Sequence, residues 1–142
     1  MQNPQDIVKA LTFGSSAKEK VFAGIDKLTT AVSSTLGASG KCVILEDFMG
    51  RPMITKDGVT VANSVILREP VENIGATLIK EAARKTVSEA GDGTTTATVL
   101  AEALLNISNE KCKKNSIRSI KEGITSGLKK VKDYLDKIAY RS

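Results

Sequence analysis

The chain has 142 residues, 26% of them charged and 41% apolar, the balance of a single soluble globular domain; with aromatics at 4%, its core must be aliphatic and alanine-rich. Histidine is absent, which excludes a Ser–His or Cys–His nucleophile within the chain and removes the commonest metal ligand. The net charge of +5 is mild and scattered, and no RNA- or DNA-binding motif accompanies it, so nucleic acid is not an expected partner.

Met1 to Phe13 begins polar and then carries Ile7-Val8 and Leu11-Thr12-Phe13, the pattern of a short strand or an arm that needs a partner from elsewhere. Gly14-Ser15-Ser16 signals a helix start. From Ala17 to Leu36 the apolar positions Val21, Ile25, Leu28, Val32 and Leu36 recur at steps of three and four, which predicts an amphipathic helix ended by Gly37-Ala38-Ser39-Gly40. Cys42 to Leu45 and Pro52 to Thr55 read as two short strands around a turn containing Gly50, a small hairpin. Lys56-Asp57-Gly58 reads as a tight turn with the glycine where a positive φ is needed, and Val59 to Val65 as a short helix despite its β-branched residues.

After Pro70, the positions Val71, Ile74, Leu78, Ala82 and Ala83 predict a second long helix ending near Ala90-Gly91. Ala97, Leu100, Leu104 and Ile107 predict a third. Ser108 to Asn115 is polar and lysine-rich, and its run Lys111-Cys112-Lys113-Lys114 reads as a solvated connection. Ile117, Ile120, Ile124, Leu128, Val131, Leu135 and Ile138 then form the most regular stripe in the chain. Such a stripe serves either the core or a partner surface. The fold class is therefore mainly α: a helical bundle of four long helices with a small β-hairpin. Cys42 and Cys112 form no CxxC pair, which argues against a zinc site, and two free thiols point to a reducing compartment. No apolar run has the length of a membrane span or a signal peptide, so the expectation is a cytoplasmic protein with no membrane partner.

Three loops rich in turn residues, Gly37–Gly40, Lys56–Gly58 and Gly91–Thr96, make one polar pocket if they lie at the same end of the bundle. Gly37-Ala38-Ser39-Gly40-Lys41 is not a P-loop: two residues rather than four separate the glycines, Cys42 follows the lysine, and the segment follows a helix. In Lys56-Asp57-Gly58 the carboxylate has the chemistry to orient a water or hold a metal, and the lysine to counter phosphate charge; an Asx-type turn is the plainer account. Ala90-Gly91-Asp92-Gly93-Thr94-Thr95-Thr96-Ala97-Thr98 precedes a helical pattern. Taken alone it reads first as a capped helix, with Asp92 at the N-cap and Thr95 three residues on. It also offers free helix-start N–H groups and hydroxyls to an anion, with Asp92 suited to a bridging Mg2+.

Thr35-Leu36-Gly37, Ile54-Thr55-Lys56-Asp57-Gly58-Val59 and Ala90 to Ala101, in that order, closely resemble the N-terminal part of the group I chaperonins, the bacterial GroEL family. Glu72-Asn73-Ile74-Gly75-Ala76 and Lys80-Glu81 fit the same pattern, and the resemblance runs from about Val8 to the end of the chain. It implies that residues 1–142 are the N-terminal part of an equatorial domain, which is mainly helical and binds ATP with Mg2+ and K+. It implies nucleotide contacts from Thr35, Leu36, Gly37, Ala38, Lys56, Gly58, Asp92, Gly93, Thr94, Thr95 and Thr96. It also implies Mg2+ on Asp92, K+ near Thr35 and Lys56, and Asp57 as a catalytic carboxylate that helps position the attacking water.

Three departures accompany the resemblance. Ala38-Ser39 stands where the family usually has Pro-Lys, which should loosen that loop, Ser116-Ile117 replaces the usual Asn-Pro, and the segment around Ser108 to Lys114 is unlike the family norm. These changes suggest a divergent paralogue. The intermediate and apical domains are absent from these 142 residues, as is the family's principal water-activating aspartate. The expected function is that of an ATP-binding segment of a chaperonin whose full-length parent hydrolyses ATP to assist protein folding, with little or no turnover by the chain alone. The alternative is a non-catalytic helical assembly module that has lost efficient ATP use. The expected partners are ATP and other chaperonin subunits in a homo-oligomer, with non-native proteins and a co-chaperonin engaged only by the full-length parent. Exposed apolar surface, and hence self-association, is expected of the chain by itself.

Overall fold

The computed structural model describes residues 13–47 and 49–139; the expected strand or arm over Met1 to Phe13 lies, but for Phe13, outside them. The chain divides after Glu102 into two compact units. In order, its elements are α1 (Gly14–Ser33), β1 (Val43–Glu46), β2 (Pro52–Thr55), α2 (Gly58–Ser64), α3 (Pro70–Ala90), α4 (Thr94–Lys111) and α5 (Ile117–Ile138). The mainly helical class, the four long helices and the small hairpin are all present. No helix among the described residues is long and apolar enough to cross a membrane.

The first unit is built on α1 against α3. Ile25, Leu28 and Val32 of α1 are buried at the spacing the sequence indicates, and they meet Ala76 and Ile79 of α3 and Val61 and Ala62 of α2. The two long helices touch backbone to backbone. A Cβ on Gly24 would stand 1.8 Å from the Glu72 carbonyl oxygen, and one on Gly75 would stand 2.1 Å from that of Val21. This crossing corrects the expected face of α3. Ile74 and Leu78 are more than half exposed, and the buried line is Gly75, Ala76, Ile79 and Ala83. Side chains as large as isoleucine would hold the helices apart where the glycines meet, so the small-residue face turns inward.

Helix α3 starts as its sequence dictates. Pro70 occupies the first turn, where its missing N–H costs nothing. Glu69 caps it by accepting from the Glu72 N–H at 2.7 Å, and Gly91 ends it in the left-handed conformation at φ 80°. Across the crossing, Lys20 pairs with Glu69 and Lys27 with Glu72.

The hairpin pairs Val43 with Thr55 and Ile44 with Ile54 in antiparallel register. Its turn is held by Asp47, whose carboxylate accepts from the Met49 and Arg51 N–H groups and pairs with the Arg51 guanidinium. Val43 and Leu45 pack towards the core.

Other expectations are corrected. Leu36 lies beyond the end of α1 and is exposed. Gly58 does not have a positive φ; it is the first residue of α2. Helix α4 starts three residues earlier than its apolar pattern and extends through Lys111 into the stretch expected to be a connection. Its Leu100, Leu104 and Ile107 are exposed, while Thr94 and Thr98 are buried, with the Thr98 hydroxyl donating back to the Thr94 carbonyl at 2.8 Å.

The second unit comprises the end of α4, a turn over Cys112 to Asn115, and α5. Ser116 caps α5 by accepting from the Ser119 N–H. None of the described residues of α5 is buried, so its regular apolar stripe is not a core face here.

Candidate functional site

Two of the three turn-rich loops, Lys56–Gly58 and Gly91–Thr96, meet in the first unit, with Thr35 beside them. Gly58 is buried, and a Cβ there would stand 2.1 Å from the Thr95 hydroxyl oxygen and 3.4 Å from that of Thr35. Thr35, Gly58 and Thr95 therefore meet at a single point, and the absence of a side chain at Gly58 is what allows it; Thr35 precedes the expected loop Gly37–Gly40 by two residues.

Thr35 follows α1 and is fixed by its own hydroxyl, which donates to the Val32 carbonyl at 2.7 Å. Leu36, Gly37 and Ala38 follow as an exposed turn, with Gly37 at φ 79°. The turn closes by Gly40 N–H donating to the Gly37 carbonyl at 3.0 Å and Lys41 N–H to that of Ser34 at 2.8 Å. Gly40 packs so closely that a Cβ would stand 2.3 Å from the Thr35 carbonyl oxygen.

Asp57 leads into α2 and caps it. Its Oδ1 accepts from the Val59 N–H at 3.2 Å, while its Oδ2 accepts from the Thr60 N–H at 2.9 Å and the Thr60 hydroxyl at 2.5 Å. Donation by the Thr60 hydroxyl, then by the Thr60 amide, holds this carboxyl below its ordinary pKa against the opposing effect of burial, with a lesser contribution from the Val59 amide. The group is thus an anion with most of its acceptor capacity in use. Thr60 was not among the residues expected at the site. Its signal is the capping spacing, a hydroxyl three residues after an Asp at a helix start.

Asp92 is exposed, and its Oδ1 accepts from the Gly93 N–H at 2.6 Å. Helix α4 begins at Thr94, and Gly93 supplies the carbonyl that takes the Ala97 N–H at 2.8 Å. Gly93, at φ 97°, is therefore the cap residue, and the expected cap at Asp92 is corrected by one position. This frees most of the Asp92 carboxylate. Thr94, Thr95 and Thr96 form the first turn of α4, where backbone N–H groups lack intrahelical acceptors. The three hydroxyls differ. Thr96 is exposed and Thr95 half-buried. Thr94 is buried, with a hydroxyl that has no partner among the described residues.

Thr94 also lines a cavity of about 100 Å³ with Val59, Ala62, Lys80, Ala83 and Val87. The Lys80 ammonium donates to the Val65 carbonyl at the end of α2, and burial, with Arg84 nearby, lowers its pKa. Lys80 is thus occupied as a helix-end cap.

These residues suit a magnesium–polyphosphate group on three grounds. A helix start lies beside a glycine cradle, an orphaned hydroxyl sits in the first turn, and Lys56 and Asp92 are exposed at the loops that meet there. No group of three or more Cys, Asp or Glu able to hold a metal exists among the described residues. A divalent cation at Asp92 would share its shell with the ligand's own oxygens and water, as Mg2+ does at phosphate sites.

Comparison with known proteins bears on the same residues. The TCP-1/cpn60 chaperonin family matches residues 28–142. Among solved structures, the chain is similar to the chaperonin gp146 from the bacteriophage EL 2 (Pseudomonas aeruginosa), crystallised in the presence of ATP-BeFx. The TM-score is 0.77 and the identity 29%, over 91% of this chain and 22% of that one. The chain thus spans about a fifth of the length of the chaperonin it resembles. With a family match over most of its length and a chaperonin fold to accompany it, the chain belongs to the TCP-1/cpn60 chaperonin family.

Proposed function

We propose that this chain binds ATP with Mg2+ at the junction of Thr35, Asp57–Gly58 and the start of α4, as part of a chaperonin that uses ATP hydrolysis to assist protein folding. The observation that carries the reading is the meeting of Gly58 with the Thr95 and Thr35 hydroxyls. Residues far apart in sequence meet there around a glycine cradle at an open helix start. In this reading Thr94, Thr95 and Thr96 offer N–H groups and hydroxyls to phosphate oxygens. Gly37 and Ala38 give the ligand close approach to the backbone after Thr35 and Leu36, and Lys56 offsets phosphate charge. Asp92 holds Mg2+, which when bound neutralises phosphate charge, and K+ lies near Thr35 and Lys56. Asp57, kept anionic, orients the attacking water. The phage chaperonin was crystallised in the presence of ATP-BeFx, which supports the same ligand class here. Assembly with further subunits and a cytoplasmic site of action accompany the proposal, with turnover by the chain alone far below that of an assembled chaperonin.

Calorimetric titration with MgATP tests this. Wild type should bind weakly, and Asp92→Ala should weaken binding about tenfold or more, the effect of losing one charged ligand of a metal-bridged phosphate. Equal heats for both, or none for wild type, would refute it. The exposed stripe of α5 favours a second reading, a helical assembly module without ATP use, and a null titration together with concentration-dependent association would support that reading.

A further inference from the structure

Asp57 and Thr60 carry an inference beyond the site residues already named; it rests on the proposal that Asp57 faces the water that attacks ATP. A carboxylate offers about four lone-pair directions. Three are taken: Oδ1 by the Val59 N–H, and Oδ2 by both the N–H and the hydroxyl of Thr60. We infer that Thr60 is a positioning residue whose hydroxyl closes Oδ2 of the Asp57 carboxylate, so that a single acceptor direction on Oδ1 remains to hold the attacking water.

The argument is one of geometry. The two backbone donors, one on each oxygen, set the rotation of the carboxylate but leave an acceptor direction open on both Oδ1 and Oδ2. The hydroxyl adds a second bond to Oδ2 and pins that oxygen towards α2. Thr60 is half-buried and belongs to α2, whose Val61 and Ala62 lie in the core. The clamp is therefore anchored to the best-packed part of the unit, while Asp57 itself stays exposed. Its other neighbour along the chain is also tied, since the Asp57 N–H donates to the Thr55 hydroxyl at 3.0 Å.

The test uses the full chain in molar excess over γ-labelled MgATP, at protein concentrations above its Kd for MgATP, following phosphate release through one slow turnover. The proteins are wild type, Thr60→Val, Thr60→Ser and Asp57→Asn, with MgATP affinity measured in parallel by calorimetry. Thr60→Val keeps the backbone donor and the shape and removes only the hydroxyl. It should slow release about tenfold, the scale expected when a reacting group is held less firmly, with a smaller change in affinity. Thr60→Ser should stay within about threefold of wild type, because the hydroxyl returns. Equal rates for wild type and Thr60→Val would overturn the inference, as would failure of serine to restore the rate. So would wild-type release no faster than that of Asp57→Asn in a protein that binds MgATP. Absence of MgATP binding by wild type would instead refute the proposed function on which the inference rests.

Discussion

The Thr95 hydroxyl occupies the space that a side chain on Gly58 would need: a Cβ there would lie 2.1 Å from Thr95 Oγ1 but 3.4 Å from Thr95 Cβ. The first distance is a clash and the second an ordinary contact. Gly58→Ala should therefore cost about 1–3 kcal/mol, the usual price of overpacking, and Gly58→Ala with Thr95→Ala should recover most of it. Urea unfolding of the two single variants and the double would show a coupling of about 1 kcal/mol or more if the loops meet as described. Additive effects would mean that Gly58 and Thr95 are apart in solution.

Carboxylates that cap helices should make the protein sensitive to acid. Asp57 is held below its ordinary pKa chiefly by the Thr60 hydroxyl, and Glu69 chiefly by the Glu72 N–H. A group whose folded pKa is depressed contributes stability that is fully present above its unfolded pKa. That contribution is lost as pH falls towards and through the folded value. Stability should thus be flat from pH 7 to about 5 and fall below about pH 4, where ordinary carboxyls titrate. Glu69→Gln should flatten the fall. A melting temperature that rises on acidification to pH 3.5 would contradict this.

Glycines on helices should divide into two kinds. Gly24 and Gly75 face the partner helix's backbone, and neither Glu72 nor Val21 can move its carbonyl cheaply. Gly24→Ala and Gly75→Ala should each destabilise the protein by about 2 kcal/mol or more. Gly123 and Gly127 on α5 have nothing within 4 Å of an added Cβ, so alanine there should raise helicity and stability, by up to about 1 kcal/mol each. Circular dichroism melts of the four variants would separate the pairs, and a loss of helicity in Gly123→Ala would place a neighbour against α5.

Periodicity read the helices well because their apolar spacing is local and regular; the hairpin bounds fell within a residue for the same reason. It misread the inward face of α3 because that face is set by the partner. Two glycines bring α1 and α3 so close that alanine and Ile79 suffice to fill the gap, leaving Ile74 and Leu78 outside. Gly58 reads as a left-handed turn and is instead the first residue of α2, because local sequence does not distinguish a glycine needed for φ from one needed for space. At the site, the loops were visible as strings of Gly, Asp and Thr, and their convergence was only conditional. The burial of Thr94 and the clamp of Thr60 on Asp57 were not visible, because each depends on how α2 and α4 are seated in the first unit.

The stripe on α5 should make the chain associate with itself. Ile117, Leu128, Val131 and Leu135 are each more than half exposed, and burying a large aliphatic side chain contributes about 1.5–3 kcal/mol. A contiguous face of this kind is rarely left in water. Lys121, Lys129, Lys130, Lys132 and Lys137 give the helix a positive balance against Glu122, Asp133 and Asp136, which opposes association at low salt more than at high. Size-exclusion chromatography should therefore show species larger than a monomer, increasing with protein and salt concentration. Leu128→Glu with Val131→Glu should return the chain to a monomer without loss of the α1–α3 core, since both lie in the second unit. A wild-type monomer at all concentrations would show that this face is stable in water.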